Sequence, residues 1–99
     1  MKYTLNITQE LLDKAYAEDG CGDPFKCVIA LAANVATGAK TCVAGGYICR
    51  VEGREYSPDI LYSPDILLPQ EVADYYREFD RASRGGKLPK PAVFENVEI

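Results

Sequence analysis

The chain contains no histidine among its 99 residues. That absence removes the side chain most often recruited for general acid–base catalysis near neutral pH, and a frequent metal ligand with it. No carboxylate dyad, phosphate-cradling glycine loop or metal-ligand motif compensates, so no catalytic residue, metal or cofactor is expected. Nor does any apolar run approach the ~18 residues of a membrane-spanning helix. The opening Met1-Lys2-Tyr3-Thr4-Leu5-Asn6 has no signal-peptide-like apolar stretch, and a cytosolic protein is expected. Basic residues are the minority, 11 Lys and Arg against 15 Asp and Glu, giving a net charge of −4 and an isoelectric point of about 4.7. Direct binding to nucleic acid or anionic membrane would oppose Coulomb repulsion, whereas basic protein surfaces would attract the chain.

What is present is ordinary globular material, 47% hydrophobic and 26% charged, enough for one domain over residues 1–99. Four cysteines, Cys21, Cys27, Cys42 and Cys49, are spaced C-x5-C and C-x6-C across a fourteen-residue gap. These spacings miss the short knuckles that wrap tetrahedral zinc. If Gly45-Gly46 makes a two-residue hairpin turn, Cys42 and Cys49 face each other with Cα atoms ~5.5 Å apart, within disulfide reach. The same register puts Cys42, Ala44, Tyr47, Cys49 and Val51 on one sheet face, and small thiols in an apolar core are the expected role.

The pattern of residues predicts an α+β fold, a single small domain of three helices with an antiparallel β-sheet. Tyr3 to Ile7 alternates as a strand, and Thr8 caps a helix that Gly20 ends. Asp23-Pro24 opens a second helix stopped by Gly38, with Phe25, Val28, Ile29, Ala32 and Val35 inward and Cys27 and Leu31 widening the stripe. Cys27, beside Lys26 in that helix's first turn, is the one candidate nucleophile, yet without a histidine base a packed thiol is expected. A hairpin spans Thr41 to Arg50, and Arg54-Glu55-Tyr56 reads as a third strand. The tandem Ser57-Pro58-Asp59-Ile60-Leu61-Tyr62 and Ser63-Pro64-Asp65-Ile66-Leu67-Leu68 must be a loop, an edge strand or turns, because two prolines six residues apart break a helix or a central ladder. Pro69 then starts a helix closed by Gly85-Gly86, with Val72, Tyr75, Tyr76 and Phe79 buried, and Ala92 to Ile99 alternates as a last strand after a basic, proline-containing linker.

Charge is concentrated. Between Glu52 and Asp80 eight carboxylates face only Arg54 and Arg77, a local net charge of −6 that exceeds the −4 of the whole chain. Glu71, Asp74 and Glu78, at i, i+3 and i+7, put three carboxylates on one helix face at spacings near those of successive nucleic-acid phosphates. Arg77 and Arg81 offer a bland alternative, a solvated and balanced helix face.

The order of strand, Thr8-led helix, Cys27-Val28-Ile29-Ala30-Leu31-Ala32, glycine-turned hairpin, then Leu68-Pro69-Gln70-Glu71-Val72 leading to Phe79-Asp80 and a closing strand resembles small bacteriophage and prophage proteins. Their helix usually reads Cys-Pro-Ile-Ala-Leu-Ala; this chain has Val28 in place of that proline, and its duplicated loop is a second departure. Small acidic proteins of such elements include anti-CRISPR inhibitors that imitate DNA, and the chain is similar to them in size and charge. The resemblance implies a monomer in the bacterial host cytoplasm whose partner is a Cas effector subunit with a basic nucleic-acid channel. Glu71, Asp74 and Glu78, extended by Glu52, Glu55, Asp59 and Asp65, are the expected partner-binding residues, with Ile60, Leu61 and Tyr62 as an apolar anchor. The alternative is a non-enzymatic phage adaptor or structural protein binding a host or virion protein through Tyr75 and Tyr76 or a sheet edge.

Overall fold

In the computed structural model, which describes residues 1–44, 46–51 and 66–99, alternation and capping set the first elements. Lys2–Ile7 forms β1, burying Leu5 and Ile7 and exposing Lys2, Thr4 and Asn6. The Thr8 hydroxyl accepts from the Leu11 N–H at 3.1 Å and so caps α1, Gln9–Ala17, which buries Leu12 and Ala15. Beyond it the Gly20 N–H donates to the Ala15 carbonyl at 2.8 Å. Close approach requires glycine here, since a Cβ would stand 2.3 Å from the Lys26 carbonyl oxygen.

The second helix starts later than Asp23-Pro24 predicts. Asp23 Oδ1 accepts from the N–H groups of Phe25 (2.8 Å) and Lys26 (3.1 Å), folding a separate turn. Helix α2 is Val28–Thr37, with Cys27 at its N-cap and Gly38, at φ 71, stopping it. Val28, Ile29, Ala30, Ala32 and Ala33 are buried, but Val35 is 80% exposed, against expectation. At about 100° per residue the buried arc centres on Ile29 and Ala33, which leaves Val35 and the half-buried Leu31 on the far side of the helix.

Strands β2, Thr41–Ala44, and β3, Tyr47–Arg50, pair antiparallel with Cys42 opposite Cys49, as the glycine turn predicts. Val43 and Ile48 enter the main core, whereas Cys42, Cys49 and Val51 form a separate small cluster against Phe25. The cysteine-bearing face is therefore buried in a satellite of the core. The second duplicated hexapeptide supplies β4, Ile66–Leu67, an edge strand paired with β3, followed by the buried Leu68. The first copy and the expected strand at Arg54-Glu55-Tyr56 lie outside the described residues.

Pro69 leads into α3, Gln70–Arg81, which continues as a 3-10 turn, Ala82–Arg84, and ends at Gly85 with φ 90. Strand β5, Ala92–Glu98, returns antiparallel to β1. Its register slips between Tyr3↔Val97 and Leu5↔Phe94, and Asn96, at φ 58, takes up the extra residue as a bulge.

The expected single antiparallel sheet is two sheets, β1-β5 and β2-β3-β4. Helix α2 packs against both β1 and β2, so the two sheets share a helix rather than a ladder. Arg50 joins them from the side, donating to the Tyr3 hydroxyl with its guanidinium 5.5 Å from that ring. Phe79, Leu5, Ile7, Leu12, Ile29 and Ile48 are fully buried in the common core.

Candidate acidic interface

Helix α3 is strongly two-faced because its apolar residues recur every three or four positions. Val72, Ala73, Tyr75, Tyr76 and Phe79 are buried, and both tyrosine hydroxyls are engaged at their tips. Tyr75 donates to the Lys90 carbonyl at 2.6 Å, and Tyr76 accepts from the Gly46 N–H at 2.9 Å. The Tyr75 ring also meets Phe94 edge-on, with centroids 5.3 Å apart. These contacts pin the helix by one side to β5 and to the β2–β3 hairpin. They also engage both hydroxyls and bury most of both rings, which leaves little of Tyr75 and Tyr76 exposed.

The opposite face carries Glu71, Asp74 and Glu78, all exposed. Helical geometry puts the three within about 60° of rotation and along about 10.5 Å of axis, so they form one row. Asp74 accepts from Gln70 Nε2 at 2.8 Å and pairs with Arg77 at 3.6 Å. Both groups of that ion pair face solvent, which screens it to little net stabilisation and leaves the Asp74 charge available to a partner. Glu71 sits in the first turn, where the helix dipole favours an anion.

Not every acid of the predicted cluster joins the row. Asp80 turns inward, where its Oδ1 accepts from the Gly22 N–H at 2.8 Å. Burial pushes its carboxyl above the usual range, and the Gly22 bond and the nearby Arg84 only partly offset this. With Asp23, Pro24, Cys27, Ala44 and Tyr76 it lines a half-open cleft of about 310 Å³. Sequence reasoning missed this cleft because its walls come from three separate stretches of chain; the only local signal was Asp23-Pro24, which reads as a helix start. Arg77, Arg81 and Arg84 gather beside Asp80 on the flank of α3, so the acidic row is bordered by cations. Glu52, Glu55, Asp59 and Asp65, and the anchor Ile60, Leu61 and Tyr62, lie outside the described residues.

Cys27 does not have the setting of a nucleophile. It is 3% exposed, and its Sγ accepts from the Ala30 N–H at 3.5 Å as the α2 N-cap. Burial pushes the thiol up to about 12, against the downward pull of the helix N–H groups, so it stays protonated at neutral pH. Among the described residues no three of Cys, Asp and Glu converge as a metal set, and no helix is long and apolar enough to cross a membrane.

Compared with protein-family models, curated proteins and solved structures, the chain matches none.

Proposed function

We propose that this chain is a phage-encoded anti-CRISPR inhibitor that docks its acidic helix row on a basic nucleic-acid-binding surface of a Cas effector complex and blocks target DNA binding. The observation that carries the reading is the exposed row Glu71, Asp74 and Glu78 on a helix held rigid by its buried opposite face. A row fixed in this way presents anions at defined spacing without first having to order them, which is what competition with a phosphate backbone requires. The reading makes the chain a binding protein and not an enzyme, acting as a monomer in the host cytoplasm on a protein partner.

Long-range attraction comes from the carboxylates, and residence time from apolar contact at the same interface. Arg77, Arg81 and Arg84 on the α3 flank supply the register, since they would repel a partner whose lysines and arginines lay one row away.

The test is capture. Tagged protein expressed in bacteria that carry CRISPR–Cas systems should retain an effector complex, and the captured complex should fail to bind target DNA until salt is raised. Recovery without any Cas component, or with an effector that still binds DNA, overturns the proposal.

A second reading, a phage adaptor, rests on a different observation. Leu67 in the edge strand β4 is 67% exposed, beside its partner Tyr47 at 39%, giving an apolar patch at the end of a three-stranded sheet. Salt separates the two readings, because an apolar contact changes little with ionic strength whereas the acidic one weakens steeply.

A further inference from the structure

Cys42 and Cys49 are directly opposed across β2 and β3. The Val51 N–H donates to the Lys40 carbonyl at 2.9 Å, and bonded and non-bonded pairs alternate along an antiparallel ladder. Two steps on, Cys42 and Cys49 are therefore a bonded pair, with Cα atoms about 5.5 Å apart, inside the roughly 4.4–6.8 Å that a disulfide spans. Their side chains share one small buried cluster with Val51 and Phe25. All four cysteines are thiols in this structure.

We propose that Cys42 and Cys49 are a redox modification site, a dithiol that a low-molecular-weight disulfide of the glutathione type converts reversibly to an intrachain disulfide. Cys49, at 7% exposure against 2% for Cys42, takes the first step. Its thiolate attacks one sulfur of the small disulfide and releases one small thiolate, which picks up a proton. Cys42 then loses its proton, attacks the Cys49 sulfur and expels the second small thiol. Two protein thiols are oxidised and one small disulfide is reduced to two thiols, so electrons and protons balance. Cys27 is engaged as the α2 N-cap, its Sγ accepting from the Ala30 N–H, and Cys21 donates its S–H to the Phe79 carbonyl at 3.2 Å.

The closing attack by Cys42 is the slow step at neutral pH because burial, reinforced by Cys49, lifts its thiol to about 11. Its rate should climb about tenfold per pH unit from pH 7 to 9 as the thiolate fraction grows. The cross-link also reaches the rest of the fold. The Gly46 N–H is held by Tyr76 of α3, and the Gly46 carbonyl accepts from the Leu68 N–H at 2.8 Å, so closing the hairpin stiffens the support of α3.

The test uses the intact reduced protein incubated with oxidised glutathione under native conditions, followed by alkylation in denaturant and tryptic digestion. Cleavage after Lys40 and Arg50 leaves both cysteines in the single peptide Thr41–Arg50. That peptide should be unalkylated and about 2 Da lighter than its dithiol form, while the Cys21 and Cys27 peptides are fully alkylated. The oxidised protein should melt roughly 5 °C or more higher, and dithiothreitol should reverse both changes. A Thr41–Arg50 peptide that stays doubly alkylated while Cys21 carries glutathione overturns the proposal. So does the mixture of pairings that the urea-unfolded chain would give.

Discussion

Asn34→Ala should destabilise the fold even though alanine is the better helix former. Among the described residues Thr41 is the one polar residue that is fully buried, and it depends on Asn34 twice. The Asn34 Oδ1 accepts from the Thr41 N–H at 2.8 Å and lies 2.8 Å from the Thr41 hydroxyl, whose proton has a second acceptor in the Ala30 carbonyl at 3.1 Å. Removing the Asn34 side chain leaves the hydroxyl an alternative but strands the backbone N–H inside the protein. A stranded buried donor costs about 1–3 kcal/mol. The helix gain from replacing Asn by Ala returns roughly 0.6 kcal/mol and does not cover it. The net loss of about 1–2 kcal/mol should lower the melting temperature by about 5–15 °C. Thr41→Val keeps the N–H bonded and loses only the hydroxyl, so it should cost less, about 0.5–1.5 kcal/mol. In the double variant the two losses should fall short of their sum, because both act through one oxygen. Urea denaturation of the four proteins gives the cycle. An Asn34→Ala protein as stable as the parent, or more stable, would refute the reasoning.

Two further outcomes follow from single contacts. Gly20→Ala forces a Cβ into the Lys26 and Ala15 carbonyls, at 2.3 and 2.6 Å, and should cost about 1–3 kcal/mol in urea denaturation, with α1 and the Asp23 turn pushed apart; an unchanged midpoint would show that the chain relaxes there freely. Asp80 has its carboxyl raised by burial in the fold, so between the unfolded and folded values the native state binds more protons and stability falls as pH rises. Asp80→Asn removes that charge while its amide oxygen still accepts from Gly22, so the variant should match or exceed the parent in melting temperature at about pH 7 and lose that advantage at about pH 3. A variant several degrees less stable at neutral pH would mean that the Arg84 attraction outweighs burial.

Local chemistry carried most of the fold to the reader of the sequence. Thr8, Gly38, Gly46 and Gly85 speak through caps and turns, which act within a few residues, and the α3 stripe repeats over three turns with large side chains. Helix α2 ends at Gly38 as its sequence predicts, but it differs from expectation in its start and in its buried face, for separate reasons. Asp23 is a good N-cap by type but spends its side chain on a turn, and the buried arc is built of alanines, so the larger Val35 drew the predicted stripe off its true centre. The split into two sheets depends on β1 finding β5 across almost the whole chain, a pairing that alternation within either strand does not encode. At the candidate site the row Glu71, Asp74 and Glu78 was legible because helical spacing alone defines it. The inward turn of Asp80 was not, because it depends on Gly22, 58 residues earlier.

If the proposed function holds, a particular face, and not total charge, binds the partner. The most direct test is the affinity of the double reversal Asp74→Lys with Glu78→Lys for a captured effector complex, against a control with Glu10→Lys on α1 and Glu18→Lys at its C-cap, both exposed. Both variants change net charge equally, and circular dichroism should show both folded. At least about 100-fold weaker binding and restored DNA binding are expected for the α3 variant alone, since each reversal turns an attraction at the interface into a repulsion. Equal weakening by the two variants, or undiminished binding by the first, would contradict it.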